Sequence, residues 1–288
     1  GLPMYEARRG AKGLTWPRRN FPRPMWRGEP LHGRRVLVHA EQGFGDSIQF
    51  IRYAPLVRAK GADVALMVQP ELAPLIRRVM PEVVLVDEAP ADAMLQCPLM
   101  SLPRAFGTTL ENIPAAPAWP ADEARRDVWR ARLGVASKPR IGLAWRGSAG
   151  HGNDRNRSLG LRDIQPIIQD QAEWIGIQKG MPDADRQALA SVAGLRVFDD
   201  EITDFEDTAA LIAEMDLIIS VDTSLVHLAG SMGRECWVML PFNPDWRWLL
   251  DREDSPWYPG LRLFRQKRLG DWATVLQEIH AALTQRFS

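Results

Sequence analysis

Leu217-Ile218-Ile219-Ser220-Val221-Asp222-Thr223-Ser224-Leu225-Val226-His227-Leu228-Ala229-Gly230 reads as a buried strand that runs directly into a helix carrying a histidine. The continuous apolar run Leu217 to Ile219 is of the kind that fills a parallel sheet, and Cys236-Trp237-Val238-Met239-Leu240 supplies a second such run downstream. Strand, helix and strand make a βαβ unit. Asp222, Thr223 and Ser224 are all N-cap types, so the helix start is expected to turn free backbone N–H groups and the positive end of its dipole toward an anionic ligand such as a phosphate. A plainer account has the three residues only cap the helix while His227 fills a gap, and the junction alone leaves both open.

Alternating elements extend in both directions. Toward the C-terminus the pattern predicts strands at 140–145 and 174–178, helices at 164–169, 183–193 and 207–214, and a closing amphipathic helix at 271–287 with Trp272, Val275, Leu276, Ile279 and Leu283 on one face. Toward the N-terminus it predicts strands at 36–38, 63–68 and 83–86 with helices at 46–60 and 71–80 between them. Such alternation means parallel sheets. The strand signal weakens through 94–106, and Pro114, Pro117 and Pro120 mark a rigid connection. The first thirty residues interleave Arg8, Arg9, Arg18, Arg19, Arg23 and Arg27 with Pro17, Pro22, Pro24 and Pro30, which excludes a continuous helix or central strand. The expected organisation is an arm at 1–30, one α/β domain at 31–120 and a second at 121–288. Two βαβ domains in tandem are expected to face a cleft bounded by the carboxyl edges of their sheets, where ligands bind in open α/β folds.

The chain has 288 residues, 45% hydrophobic and 25% charged, which is ample for real cores. Lys plus Arg and Asp plus Glu balance at 36 each, so no bulk positive field would hold nucleic acid or an anionic membrane. An anion site must be local. Cys97 and Cys236 lie far apart in apolar context, as buried reduced residues of a cytoplasmic protein rather than a disulfide or metal set. No apolar run reaches the roughly 18 residues a membrane span requires, and the Arg- and Pro-rich start lacks a signal-peptide core. A soluble cytoplasmic protein is expected.

The loop His39-Ala40-Glu41-Gln42-Gly43-Phe44-Gly45-Asp46-Ser47-Ile48 follows the first strand and opens a helix. A dinucleotide fingerprint would need a small residue at Ile48 and an acid near Gln69, and an ATPase loop would need Lys followed by Ser or Thr; neither is present. Asp46 at the helix start is either a cap or a general base. The segment 146–158, with Arg155, Arg157 and Ser158, is suited to wrapping phosphates, or is simply a solvated loop. Lys179, at the same sheet edge, could put a point charge on a phosphate, although a surface lysine is the commoner outcome. Asn243-Pro244-Asp245-Trp246-Arg247-Trp248 offers aromatic faces that suit a sugar or an interface.

Taken together, the Gly45-Asp46 turn and the run Val221 to Ala229 resemble glycosyltransferase family 9, the lipopolysaccharide heptosyltransferases. The likeness is closer to the glycosyltransferase domain that follows tetratricopeptide repeats in bacterial proteins, through 39–50, 153–158 and 245–258, and 1–8 looks like the tail of a last repeat. This resemblance implies a GT-B fold of two Rossmann-like domains, the first on the acceptor side and the second binding a nucleotide-sugar donor. It implies inverting transfer that uses the donor as substrate, with no metal and no cofactor. By position, Asp46 would be the base, in a loop where Gln42, Gly43 and Gly45 lie on the acceptor side. Thr223, Ser224 and His227 would hold the diphosphate and Asp222 would order that turn. Lys179 would aid the leaving diphosphate, and Arg155, Arg157 and Ser158 would lie near the donor. The compact first domain departs from a full heptosyltransferase acceptor domain, so the lipopolysaccharide acceptor is not carried over. An upstream repeat region would favour a protein acceptor, as in O-GlcNAc transferase. A silent nucleotide-sugar-binding or assembly module and a nucleotide-sugar epimerase are the alternatives.

Overall fold

A computed structural model describes residues 1–10, 21–148, 150 and 152–287. It divides into two compact units, Gly1–Ala118 and Trp119–Ser288.

The first unit is built on a four-stranded sheet: β1 (Arg35–His39), β2 (Asp63–Met67), β3 (Val84–Leu85) and β4 (Leu95–Pro98). The spatial order is β3-β2-β1-β4 and every pairing is parallel, with Val36 opposite Val64 and Leu95. Val36, Leu37 and Val38 are fully buried, as a central parallel strand requires. β4 lies where the sequence signal fades, because Gln96 interrupts its apolar run and Pro98 closes it. Residues 24–26 run beside this strand: the Trp26 N–H donates to the Gln96 carbonyl, the Gln96 N–H donates to the Pro24 carbonyl, and Trp26 is wholly buried. That part of the expected arm is therefore packed into the first unit. Arg18, Arg19 and Pro17 lie outside the described residues.

The helix expected over 46–60 is three pieces: Phe44–Phe50, a 3-10 turn at Ile51–Tyr53, and Ala54–Ala59. Pro55, lacking an N–H, is accommodated in the first turn of the last piece, where that donor would be unused anyway.

The second unit carries six parallel strands: β5 (Arg140–Ala144), β6 (Glu173–Gly176), β7 (Leu195–Val197), β8 (Leu217–Val221), β9 (Cys236–Leu240) and β10 (Leu261–Arg265). Their order is β10-β9-β8-β5-β6-β7. Counted within the unit, this is the doubly wound order in which the winding reverses between the first and fourth strands, here β5 and β8. Ile141, Leu143, Leu217, Ile219 and Val221 join one core with Val275, Ile279 and Leu283 of the closing helix Trp272–Phe287. The edge strands β7 and β10 are absent from the sequence pattern because they are short or alternate with arginine, as exposed edges do. The helix Glu123–Leu133 is likewise unsignalled, since only Trp129 and Leu133 are buried in a run dominated by charge.

Candidate functional site

In the second unit the reversal point brings two segments together. At the carboxyl end of β8, Thr223 caps the helix Ser224–Ser231 with extended backbone and no side-chain capping bond. Its hydroxyl lies 3.4 Å from Ser220 Oγ, which donates to the Val221 carbonyl. The first turn leaves the Ser224 and Leu225 amides without intrahelical acceptors, and Thr223 and Ser224 are partly exposed beside them. His227 is only 2% exposed. Its Nδ1 is 3.2 Å from the Tyr258 hydroxyl and its ring stacks on Trp248 with centroids 5.4 Å apart.

The neighbouring segment leaves β5. Gln178 Oε1 accepts both the Trp145 and Arg146 N–H groups, at 3.1 and 2.9 Å. Asp185 accepts from the Trp145 indole at 2.8 Å, from Arg146 Nε at 2.6 Å and from the Leu161 N–H at 3.1 Å. Burial pushes the Asp185 carboxyl up, but those hydrogen bonds and the Arg146 charge outweigh it and hold its pKa below the ordinary range. Beyond this anchor, Ser158 Oγ accepts from the Gly147 N–H and donates to Asp154, each at 2.9 Å. Arg157 closes the arrangement: its Nη1 donates to the Asp222 carbonyl at 2.6 Å and its Nε to Asp154 at 3.3 Å. A Cβ on Gly147 would overlap both the Arg157 guanidinium and the Asp154 carboxylate, so only glycine admits this packing.

Asp222 keeps a partly exposed edge, yet its carboxyl is pushed up to about 6. Desolvation is the main cause, opposed by Arg247, reinforced by Asp245, and opposed again by the Trp248 indole and Arg157. Arg247, 7% exposed and paired with Asp245 at 3.0 Å, is a buried cation the sequence reading passed over as part of an aromatic run. Trp248 in that run is fully buried against His227, and Trp257 is 6% exposed, so packing takes up these two rings. The 3-10 turn holding Trp248 and the Tyr258 hydroxyl reach the helix through tertiary contact alone, which is why local pattern missed them.

The remaining residues are less enclosed. Arg155 is exposed and lines an open depression with Arg146, Asp154 and Ser158. Lys179 is exposed and its ammonium donates to the Thr203 carbonyl.

In the first unit the equivalent reversal lies between β1 and β4, and the loop leaving β1 is pinned there. Gln69 Nε2 donates to the Gln42 carbonyl at 2.7 Å, while Gln69 Oε1 accepts from Ser47 at 2.8 Å. Gln69, noticed in the sequence only because no acid stands there, is thus the clasp of the turn. Gly43 caps the helix Phe44–Phe50 with Gly45 in its first turn, and the Gly43 N–H donates to Asp46 Oδ2 at 2.9 Å. Asp46, partly exposed, has the capping geometry.

Two helix-flanked parallel sheets of this topology are the building blocks of the GT-B fold. The resemblance drawn from the sequence holds further: the model of glycosyltransferase family 9 (heptosyltransferase) matches residues 202–236, the segment that contains Asp222 to His227. Protein FlbA of Caulobacter vibrioides is 27% identical over 310 residues, covering 98% of this chain and 52% of FlbA. The chain thus spans about half the length of that curated relative. Among solved structures, the ADP-heptose lipopolysaccharide heptosyltransferase II of Escherichia coli is 17% identical with a TM-score of 0.61, covering 88% of this chain and 100% of that one. The iron-containing dodecameric glycosyltransferase TibC of enterotoxigenic E. coli is 12% identical with a TM-score of 0.57, covering 90% and 79%. Among the described residues here, no group of three or more His, Cys, Asp and Glu is placed to hold a metal ion, and no helix is long and apolar enough to cross a membrane.

Proposed function

We propose that this chain is the transferase portion of an inverting glycosyltransferase that moves a sugar from a nucleotide-diphosphate donor to an acceptor hydroxyl. The observation that carries the reading is the meeting of the Asp222–His227 junction and the Arg146–Ser158 segment where the winding of the second sheet reverses, the place where open α/β sheets bind nucleotides. The donor's diphosphate lies against the Thr223 hydroxyl and the amides that begin the helix, with the helix dipole stabilising negative charge as the sugar departs. Arg157 and Arg155 add positive charge from the neighbouring segment. His227 acts from beneath, steadied by Tyr258 and Trp248, and Asp222 orders the turn. Lys179 stands at the same sheet edge as a further cation for the diphosphate.

The acceptor hydroxyl gives its proton to Asp46 as it attacks the anomeric carbon from the face opposite the leaving diphosphate. This route needs one base and no second carboxylate, and the reading assigns it no metal. An adenosine diphosphate-linked sugar is the favoured donor, since heptosyltransferase II is named for ADP-heptose and TibC is described in complex with ADP-D-β-D-heptose. The acceptor proposed is a protein hydroxyl, presented by an upstream repeat region.

Calorimetric titration with ADP, UDP, GDP and CMP tests the donor half, followed by mass spectrometry of acceptors with wild type and Asp46→Asn. Saturable ADP binding, retained in Asp46→Asn while transfer is lost, is expected. Nucleotide binding with no transfer to any acceptor would favour the silent binding module, and sugar conversion from donor alone would favour the epimerase.

A further inference from the structure

The segments that leave the carboxyl ends of β1 and β4 are bridged from within the chain. Arg8 places one guanidinium nitrogen on two partners, Glu41 at 2.7 Å after β1 and Ser101 Oγ at 2.8 Å after β4. Its other terminal nitrogen donates to Glu6 at 3.0 Å and to the Tyr5 carbonyl at 3.2 Å. Ser101 in turn donates to Glu6 at 3.1 Å, and the guanidinium lies 4.7 Å from the centre of the Tyr5 ring. The Arg8 side chain is only 8% exposed and that of Glu41 17%.

A buried ion pair of this kind does little for net stability, because desolvating both charges offsets most of their attraction. What it supplies is geometry: two carboxylates, a hydroxyl and a carbonyl converge on one planar cation, and they join residues 5–8 to the exits of two adjacent strands. Burial raises the Glu41 carboxyl, and Arg8 is the principal opposing influence. Without Arg8 that side chain would have to move toward water, carrying the start of the loop with it. Glu41 directly precedes Gln42, and from Gln42 onward Gln69 holds the turn to Ser47. The loop therefore has a pin on each side of Asp46.

We propose that Arg8 is a positioning residue for the Asp46 turn, acting through Glu41 at the reversal point of the first sheet. This rests on the reading of Asp46 as the base, but its primary test does not. Amide hydrogen exchange of residues 42–47 is measured on the whole chain for wild type, Arg8→Ala, Arg8→Lys and Glu41→Gln, with the amides of Val36 to Val38 as the internal reference.

Loss of a charged hydrogen-bond partner predicts about a tenfold or greater rise in exchange at 42–47 in Arg8→Ala, with the reference amides unchanged. Arg8→Lys recovers only part of the protection, because a single ammonium cannot hold Glu41 and Ser101 on one side and Glu6 and the Tyr5 carbonyl on the other, as the two terminal nitrogens of the guanidinium do. Where transfer is measured, kcat falls and the nucleotide Kd does not move. Unchanged exchange at 42–47, or an equal rise in the β1 amides, overturns the proposal. Should Arg8→Ala fail to fold, Glu41→Gln carries the same two outcomes. Altered exchange in a protein that transfers no sugar would sink the catalytic reading and leave the positioning role standing.

Discussion

The Arg157 guanidinium donates to the Asp222 backbone carbonyl across 2.6 Å, tying the loop that leaves β5 to the turn that leaves β8. The bond is possible because Gly147 has no side chain where the guanidinium rests. A residue sixty-five positions earlier in the chain thus sets the shape of the helix start.

Replacing Arg157 with alanine is expected to weaken nucleoside diphosphate binding by about ten- to a hundredfold, the worth of one charge-assisted contact of ~1.5–3 kcal/mol. Gly147→Ala should weaken it comparably by displacing the guanidinium, although Gly147 touches no ligand in this reading. Arg155→Ala, at an exposed position, should cost less and show it mainly at low salt. Calorimetric titration of all three variants distinguishes them; equal affinities throughout would remove Arg157 from the donor site.

Asp222 sets a pH dependence of stability. Its carboxyl is raised from 3.8 to about 6 in the folded protein, so the native state holds a proton that the unfolded chain releases. The contribution is fully present below pH 3.8 and is lost as pH rises through 6. A rise of that size would correspond to ~3 kcal/mol, and the partly exposed edge of the residue reduces that to ~1–2 kcal/mol. Asp222→Asn should therefore gain on the wild type in urea denaturation between pH 4 and pH 7. A difference between the two proteins that stays flat over this range would show that the carboxyl is not perturbed.

Tyr258 meets the helix at two places. Removing its hydroxyl in Tyr258→Phe deprives His227 Nδ1 of that contact and should cost ~1 kcal/mol. Gly230→Ala drives a methyl into the Tyr258 ring, since a Cβ there would lie 2.6 Å from Tyr258 Cδ1, and should cost ~1–3 kcal/mol. Denaturation midpoints check both, and a silent Gly230→Ala would mean the ring yields freely.

Gln49 is fully buried in the helix Phe44–Phe50, and neither its amide nitrogen nor its oxygen has a hydrogen-bond partner among the described residues. Gln49→Met, of similar shape and without the polar atoms, should stabilise the first unit by ~1–2 kcal/mol. Destabilisation instead would indicate a bound water satisfying the amide.

Much of the fold is legible locally. Val36 to Val38 and Leu217 to Ile219 declare themselves as central strands because burial on both faces leaves only apolar residues. β7, β10 and the helix Glu123–Leu133 do not, since an edge or surface element is chosen by its neighbours while its own residues remain largely polar. The same division runs through the candidate site. Asp222, Thr223, Ser224 and Asp46 are visible because capping chemistry is local to a strand-to-helix turn. Gln69, Arg247 and Tyr258 are not, because each acts on a partner at least 22 positions away.

By itself the sequence determined that two parallel α/β sheets would form and which turns would begin helices with exposed amides, since apolar period and capping preference act within a few residues. Only the tertiary structure decided the strand order that sets β5 beside β8 and β1 beside β4. With that order came the placement of Arg157 on the Asp222 carbonyl, His227 beneath rather than at the surface, and Arg8 between two strand exits. These depend on how separate buried faces pack and on which charges must share one desolvated space, and no short window of residues contains either.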